Sequence, residues 1–225
     1  MRLSVMSSTI RRFVERLLTS IILGTLFWGI YLFCPARLLT FLLAAALLEI
    51  LIFEWPVICP LRNLSCWLAA PFYPVLPFLA MVQMNEQLIY RPIFFFAFVL
   101  APAFDTGSYL VGKTFGRHSL SVLSPDKTWE GFFGGVLAVL FILPFFIGLN
   151  VLALMFLTPA ISIVALAGDL FESWFKRRVG VKDAGFVLPG HGGLLDRFDS
   201  IIAVVLFCYL LKDYLVPLLA TTSIF

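Results

Sequence analysis

Long apolar runs separated by short polar connections make up most of the chain. A helix that spans a membrane needs about 20 mostly apolar residues, and about seven runs approach that length. They cover about 17–34, 37–53, 64–82, 88–104, 131–149, 150–168 and 198–218. The pattern predicts an all-α polytopic membrane protein with about seven transmembrane helices. The third run contains Pro71, Pro74 and Pro77, so it either spans as a kinked helix or re-enters the membrane.

The composition supports this class of protein. Of the 225 residues, 61% are hydrophobic and 13% are charged, whereas soluble domains carry about 25% charged residues. The net charge of +3 is too small to indicate a nucleic-acid partner. The first apolar run follows four arginines and is too long for a signal-peptide core, so it is interpreted as a retained helix.

The distribution of Lys and Arg predicts the orientation of the helices. With the N-terminus in the cytoplasm, three of the 16 basic residues fall outside, namely Arg37, Arg91 and Lys212. The other basic residues lie on the cytoplasmic side, as the positive-inside rule requires. An odd number of helices then places the C-terminus outside.

Two polar segments, about 105–130 and about 169–197, are longer than the other connections and would both be cytosolic loops. Binding and catalytic residues concentrate in such segments, because loops tolerate polar chemistry that membrane helices do not. Residues 1–104 are therefore predicted to be N-terminal transmembrane helices, and residues 105–225 to form a catalytic membrane region.

The first polar segment contains GSYLVGKT, which fits the G-x-x-x-x-G-K-[ST] pattern of a phosphate-binding loop. That loop lies between a strand and a helix of a soluble α/β domain. Here the preceding residues FFFAFVLAPAFD indicate a membrane helix, and no strand–helix–strand pattern follows. We therefore expect no nucleotide-binding loop of that type, although Lys113 remains a cation close to any phosphate bound nearby.

The second polar segment brings three carboxylates together. Asp169 is predicted at the end of the sixth helix, Asp196 and Asp199 begin the seventh, and the glycine-rich loop between them can fold back. Carboxylates this close repel one another unless a cation compensates, and Mg²⁺ binds through one or two carboxylates plus substrate phosphates. Asp169, Asp196 and Asp199 are therefore predicted to hold Mg²⁺. A favourable interaction with the helix dipole is the alternative explanation for Asp196 and Asp199.

Basic residues accompany these carboxylates. Lys176, Arg177 and Lys182 suit phosphate oxygens, so the mixture predicts metal-assisted phosphoryl or nucleotidyl transfer. His191, flanked by glycines, is either structural, a phosphate contact or a proton-transfer group. Glu49, inside the apolar stretch LLAAALLEILIF, either pairs within the helix bundle or marks an ion path.

The stretch SWFKRRVGVKDAGFVLPGHGGLLDRFDS, Ser173 to Ser200, resembles the signature of phosphatidate cytidylyltransferases, also called CDP-diacylglycerol synthases. DTGSYLVGKTFGR and SPDKTWEGFFGG, which begin at Asp105 and Ser124, are also similar to that family. Asp126 stands where a lysine is usual in the family, so a phosphate contact at that position is not expected. The resemblance covers about 100–215.

The resemblance implies that CMP passes from CTP to phosphatidic acid, which gives CDP-diacylglycerol and pyrophosphate in phospholipid biosynthesis. By resemblance, the catalytic residues are Lys176, Arg177, Lys182, Asp183, His191 and Arg197. The substrate-binding residues implied in the same way are Asp105, Ser124, Lys127, Thr128, Glu130 and Ser173. The resemblance also implies an integral protein of the bacterial inner membrane, and it leaves a homodimer open.

Two other classes of function remain as alternatives. A CTP-dependent membrane lipid kinase or an ether-lipid cytidylyltransferase would share the membrane site and CTP but use a different acceptor. The complete KDAGFVLPGHGG loop argues against these enzymes. A transporter or channel would explain Glu49, but the charged residues gather in the polar segments rather than in the middle of the apolar runs.

Overall fold

A computed structural model describes residues 24–60, 67–121, 124–181, 183–185 and 192–219. These residues form helices and no named β-strand; Ser119 and Thr128 form one isolated bridge. The predicted site residues Lys182 and His191 lie outside the described residues. In chain order the α-helices are α1 Gly24–Phe33, α2 Ala36–Glu49, α3 Trp55–Ile58, α4 Leu76–Glu86, α5 Arg91–Phe115, α6 Trp129–Ile142, α7 Pro144–Ile147, α8 Val151–Val179, α9 Leu195–Leu210 and α10 Lys212–Leu219.

Four helical segments among the described residues are long and apolar enough to cross a membrane. They are Ala36–Ile58, Arg91–Phe115, Trp129–Ile147 and Val151–Val179. A fifth is added if α9 and α10 are counted together as one bent span. The prediction of an all-α protein with helices able to span a membrane is confirmed for these residues. The count of seven spans and the orientation of the termini stay predictions.

Two helices extend well beyond their predicted ends. The sequence predicts that the fourth and sixth apolar runs end near 104 and 168, but α5 continues to Phe115 and α8 to Val179. Polar residues at these ends stay helical because one face remains packed, and α8 stops only at Gly180 in the left-handed conformation. The sequence GSYLVGKT is thus part of helix α5, which agrees with the rejection of a phosphate-binding loop.

The last predicted helix is in fact two helices. The sequence predicts one helix over about 198–218, whereas α9 ends at Leu210 and α10 continues at an angle of 87°. The polar pair after the bend is held by tyrosines. Lys212 lies over the rings of Tyr90 and Tyr209, and Asp213 accepts a hydrogen bond from Tyr90 Oη at 2.8 Å. These contacts stabilise the start of α10 beside the bend, where the amphipathic tyrosine and lysine side chains suit a polar boundary.

The proline-rich third run is helical from Pro71 to Glu86. Its first turn, Pro71–Val75, is π-helical and leads directly into α4. A π-helical turn can accommodate proline. Its i→i−5 hydrogen bonds let the next residue bond to the carbonyl group that proline, with no N–H, leaves without a donor. This helix is shorter than the four segments that could cross a membrane, so the choice between a kinked span and a re-entrant element stays open.

Helices α5, α6, α8 and α9 pack around the polar segments through small residues. A Cβ added to Gly107 of α5 would lie 2.6 Å from Cβ of Ala138 of α6. A Cβ added to Gly168 of α8 would lie 2.7 Å from the carbonyl oxygen of Asp199 of α9. Close backbone approach of this kind is typical of helix pairs in membranes. The Gly168 contact brings the carboxylates of Asp169 and Asp199 to the same place.

Candidate active site

A polar cavity of about 620 Å³ lies where α5, α8, α9 and the segment before α6 meet. The residues around it are dominated by carboxylates, hydroxyls and two cations. The sequence-predicted site residues that line it are Asp105, Ser124, Lys127, Thr128, Asp169, Asp196, Arg197 and Asp199. The fold therefore joins both predicted polar segments at one site.

Five aspartates line this cavity, and three of them, Asp105, Asp169 and Asp199, come from three different helices. Asp105 of α5 accepts a hydrogen bond from the Ser200 hydroxyl at 2.5 Å. Asp169 of α8 forms an ion pair with Lys127 of the segment before α6. Asp199 of α9 accepts the backbone N–H of Ser200 at 2.7 Å. The site thus concentrates negative charge that Lys127 only partly compensates.

Asp196 lines the cavity but also holds the loop before α9. Its carboxylate accepts the backbone N–H of Gly193 at 2.7 Å and that of Ala184 at 3.0 Å. It also accepts a hydrogen bond from Lys176 Nζ at 2.8 Å. Both oxygens are therefore engaged. A role as a metal ligand, as the sequence predicts, would require Asp196 to share or release one of these contacts.

Lys176 lies beneath the loop rather than at the cavity surface. Its ammonium group bridges Asp196 and Glu172, with Nζ 2.9 Å from Glu172 Oε1. Glu172 is fully buried, and its other oxygen accepts the Tyr73 hydroxyl at 3.2 Å. Lys176 is not among the described residues that line the cavity. Its observed partners make it a structural cation between two carboxylates.

Glu54 is a second buried carboxylate, and the sequence analysis missed it. It is fully buried, and it accepts the backbone N–H groups of Leu194 and Leu195 at the start of α9. An acidic residue within an apolar run indicates a functional or structural role by itself, and Glu54 carries that signal as Glu49 does. The oxygens of Glu49 are buried and have no hydrogen-bond partner among the described residues.

The segment before α6 is shaped by two residues that were predicted to bind substrate. Thr128 caps α6, because its hydroxyl accepts the backbone N–H of Gly131 at 3.1 Å. Glu130 accepts the N–H groups of Arg117 and His118 at 3.2 and 3.3 Å, and its other oxygen lies 2.6 Å from His118 Nδ1. Thr128 still lines the cavity, whereas Glu130 holds the segment that carries Lys127 in place.

Three further predicted site residues lie away from the cavity. Arg177 is exposed and its Nη1 lies 3.4 Å from the carbonyl oxygen of Val181. Asp183 is exposed, and Ser173 is half-buried on α8. None of the three is among the described residues that line the polar cavity. Their roles in substrate binding or catalysis stay predictions.

A second cavity, of about 580 Å³, lies beside the first and is almost entirely apolar. It is formed by α1, α2, the middle of α5 and the start of α9. The two cavities share the lining residues Pro102, Arg197 and Ile201. Arg197 therefore lies at the boundary between a charged space and an apolar one.

The described residues contain no group of three His, Cys, Asp or Glu side chains at the spacing of a ready-made metal cage. The donor chemistry nevertheless suits a hard cation, since Asp105, Asp169 and Asp199 supply only oxygen. Mg²⁺ needs only one or two protein carboxylates when substrate phosphates and water complete its shell. The cavity therefore fits Mg²⁺ brought together with a phosphate-bearing substrate.

Membrane-spanning helices, a carboxylate-rich cavity and an adjoining apolar cavity together define a membrane protein whose site accommodates charged and apolar groups side by side. The chain belongs to the cytidylyltransferase family, whose profile matches residues 4–215. A phosphatidate cytidylyltransferase of Staphylococcus epidermidis is 48% identical over 116 residues, which are 49% of this chain and 45% of that relative. The phosphatidate cytidylyltransferases of Staphylococcus haemolyticus and Staphylococcus aureus are 47% identical over 116 residues and 48% over 118, with the same coverage.

Each of these alignments covers less than half the length of the relative. The family membership rests on the profile, which spans nearly the whole chain. It confirms the resemblance identified from the sequence motifs.

Proposed function

We propose that the protein is a phosphatidate cytidylyltransferase, which transfers CMP from CTP to phosphatidic acid and releases pyrophosphate. The observation that carries this proposal is the pair of adjoining cavities that meet at Arg197. A charged cavity alone would suit any nucleotide, and an apolar one alone any lipid. Their junction suits a reaction in which a lipid phosphate meets a nucleotide triphosphate.

The apolar cavity supports a lipid as the acceptor. Its lining is formed by residues such as Trp28, Leu43 and Phe98, which offer acyl chains an apolar surface. Arg197 at the boundary carries a planar fork of donors that matches two phosphate oxygens. A phosphatidic acid bound with its chains in this cavity would present its phosphate to the polar side.

Positioning and electrostatics would supply most of the catalysis. A non-bridging oxygen of the lipid phosphate attacks the α-phosphorus of CTP, and the bond between the α- and β-phosphates breaks to release pyrophosphate. The lipid phosphate is already ionised at neutral pH, so the attack needs no strong general base. Lys127 and Arg197 are the lining cations that would orient phosphate oxygens.

We also propose that Mg²⁺ takes part and that Asp169 and Asp199 would hold it. Asp105 and Asp126 are further carboxylates that line the cavity, whereas Asp196 is engaged by the loop. Bound Mg²⁺ would neutralise triphosphate charge and make the α-phosphorus more electrophilic. Lys127, which pairs with Asp169 here, would then be available to a phosphate oxygen when the nucleotide arrives.

The proposed reaction favours the seven-helix arrangement with the N-terminus in the cytoplasm and the C-terminus outside. CTP is a cytosolic nucleotide, and this orientation puts both polar segments on the cytosolic side together with most of the basic residues. We infer a location in the bacterial inner membrane on the same grounds. A homodimer stays a prediction.

A labelling experiment tests the function. Protein purified in detergent is incubated with phosphatidic acid, Mg²⁺ and CTP that carries radioactive phosphorus at either the α or the γ position. We expect α-label in a lipid that co-migrates with CDP-diacylglycerol, and γ-label only in pyrophosphate. Transfer of γ-label to lipid would identify a lipid kinase instead, and absence of label from every lipid would overturn the proposal.

A further inference from the structure

Glu54 contacts the start of α9 from a part of the chain that is distant in sequence. Its carboxylate is fully buried, with Oε1 2.5 Å from the backbone nitrogen of Leu194 and Oε2 2.6 Å from that of Leu195. These two N–H groups are at the N-terminus of α9, where four backbone donors lack partners within the helix. Leu194 has no polar side chain with which to cap the helix itself. Glu54 supplies the cap from 140 residues away in sequence.

The local structure of the second membrane segment aims Glu54 inward. The π-helical turn Ile50–Glu54 interrupts the segment between α2 and α3. Such a turn contains an extra residue, which rotates the side chains that follow it, and such turns are frequent at functional sites. Ile52 and Phe53 are exposed on the apolar surface, whereas Glu54 and Trp55 are buried.

Two glycines of the polar segment before α9, Gly185 and Gly193, lie against this carboxylate. A Cβ added to Gly193 would lie 2.6 Å from Glu54 Oε1, and one added to Gly185 would lie 2.8 Å from the same oxygen. Gly185 and Gly193 thus both lie close to the same oxygen of Glu54. Larger residues at these positions would displace either the loop or the carboxylate.

We propose that Glu54 is a positioning residue for the reaction, an inference that rests on the cytidylyltransferase function proposed above. Its charged cap fixes the first turn of α9, and this turn carries Asp196, Arg197 and Asp199 into the polar cavity. Charge-assisted hydrogen bonds to a helix N-terminus are strong, and the helix dipole adds to them. A small displacement of the first turn would move all three side chains, and misplacement by about 1 Å can cost about a hundredfold in rate.

The test compares Glu54→Gln with a matched variant in the same membrane segment. A glutamine keeps the shape of the side chain, but its amide group faces one of the two backbone N–H groups with another donor. Glu49→Gln is the control, because the Glu49 oxygens have no hydrogen-bond partner among the described residues. Each variant is purified in detergent with the wild type. The measurements are thermal melting, hydrogen exchange of the backbone over residues 192–200, and kcat and KM for CTP and phosphatidic acid.

We expect Glu54→Gln to exchange faster over residues 192–200 and to lose roughly tenfold or more in kcat, with KM values changed by about twofold or less. The control should match the wild type in both exchange and kcat. Wild-type exchange and kcat in Glu54→Gln would overturn the inference, as would equal losses in the control. If Glu54→Gln does not survive extraction, Glu54→Asp replaces it, since the shorter carboxylate keeps the charge but cannot reach both N–H groups; wild-type behaviour there would also overturn the inference.

Hydrogen exchange separates the two proposals. The exchange of residues 192–200 does not depend on turnover, so it reports on the cap even in a protein that forms no CDP-lipid. A wild type without CTP-dependent labelling of lipid would overturn the proposed function, and with it the catalytic part of this inference. Labelling in the wild type with unchanged exchange and kcat in Glu54→Gln would overturn the inference about Glu54 alone.

Discussion

Lys127 forms an ion pair with Asp169 across the polar cavity. The contact joins the segment before α6 to helix α8, and the side chains are 21% and 28% exposed respectively. It places two types of group that a nucleotide site needs, a cation for phosphate and a carboxylate for a metal, in direct contact. The pair would have to separate or rearrange when a metal-bound triphosphate enters.

The first prediction concerns Lys127. We expect Lys127→Met to raise KM for CTP about tenfold or more, since a charge-assisted contact contributes about 1.5–3 kcal/mol. Lys113→Met is the control, because Lys113 is an exposed lysine that contacts Tyr109 and does not line the cavity. Steady-state kinetics in detergent measure both variants. An unchanged KM and kcat in Lys127→Met would remove Lys127 from the site.

The second prediction separates two roles for Lys176. The sequence indicates a phosphate contact, whereas the structure shows a buried cation between Glu172 and Asp196. Loss of one partner from a buried ion pair costs about 3–5 kcal/mol, because charge is left uncompensated. Lys176→Met should therefore lower the melting temperature in detergent strongly. Arg178→Met, which removes only a cation over the Trp174 ring, should cost about 0.5–1 kcal/mol.

A normal melting temperature combined with a raised KM for CTP in Lys176→Met would favour the phosphate role instead. This outcome would mean that Lys176 leaves its two carboxylates when substrate binds.

The sequence allowed some of the site to be predicted and not the rest, for physical reasons. Asp169 and Asp199 could be placed together, because a glycine-rich loop joins their two helices and helical spacing fixes their faces. The predicted helix end at Asp169 was wrong, since α8 continues to Val179. Glu54 could not be placed, because its role depends on a π-helical turn and a contact across 140 residues. No local pattern encodes either feature.

The fold, like the site, has parts that the sequence predicts and parts that it does not. Four of the seven predicted hydrophobic runs match helical segments long and apolar enough to cross a membrane, since about 20 apolar residues have few other solutions. The 87° bend between α9 and α10 escaped prediction because no proline or glycine marks it, and Tyr90, which contacts Lys212 beside the bend, is distant in sequence. The extension of α5 to Phe115 escaped prediction because polar residues were assumed to end the helix.

The third prediction concerns the apolar cavity. Ala46 lines this cavity on α2, and its neighbour Ala45 is exposed on the outer surface of the same helix. Ala46→Phe should fill part of the space and raise KM for a long-chain phosphatidic acid about tenfold, since each excluded CH₂ group costs about 0.8 kcal/mol. A phosphatidic acid with six-carbon chains should be affected much less. Ala45→Phe should change neither value, and an equal effect of both substitutions would argue against acyl chains in this cavity.

The fourth prediction concerns topology. The seven-helix arrangement places Lys127 and Arg178 on the cytosolic side and Leu149 outside. Single cysteines introduced at these positions, in a variant without the native cysteines, can be tested with a membrane-impermeant maleimide on intact cells. We expect labelling of Leu149→Cys alone. Labelling at Lys127→Cys from outside would overturn the orientation and, because CTP is cytosolic, the proposed function as well.

The last prediction separates the three aspartates that were expected to bind Mg²⁺. Asp199 and Asp169 face the cavity from α9 and α8, whereas Asp196 accepts hydrogen bonds from Gly193, Ala184 and Lys176. Asp199→Asn and Asp169→Asn should therefore retain their melting temperature in detergent but require more Mg²⁺ and lose most CDP-lipid formation. Asp196→Asn should instead lower the melting temperature, because it weakens several charge-assisted hydrogen bonds worth about 1.5–3 kcal/mol each.

Titration of activity with Mg²⁺, together with melting of each variant, distinguishes the two roles. A raised Mg²⁺ requirement in Asp196→Asn at normal stability would return Asp196 to the metal site, and would mean that the loop contacts rearrange when substrate binds. A normal Mg²⁺ requirement and near-normal activity in both Asp169→Asn and Asp199→Asn would contradict the metal site itself. In that case Lys127 and Arg197, the cations among the described residues that line the cavity, would have to compensate much of the triphosphate charge.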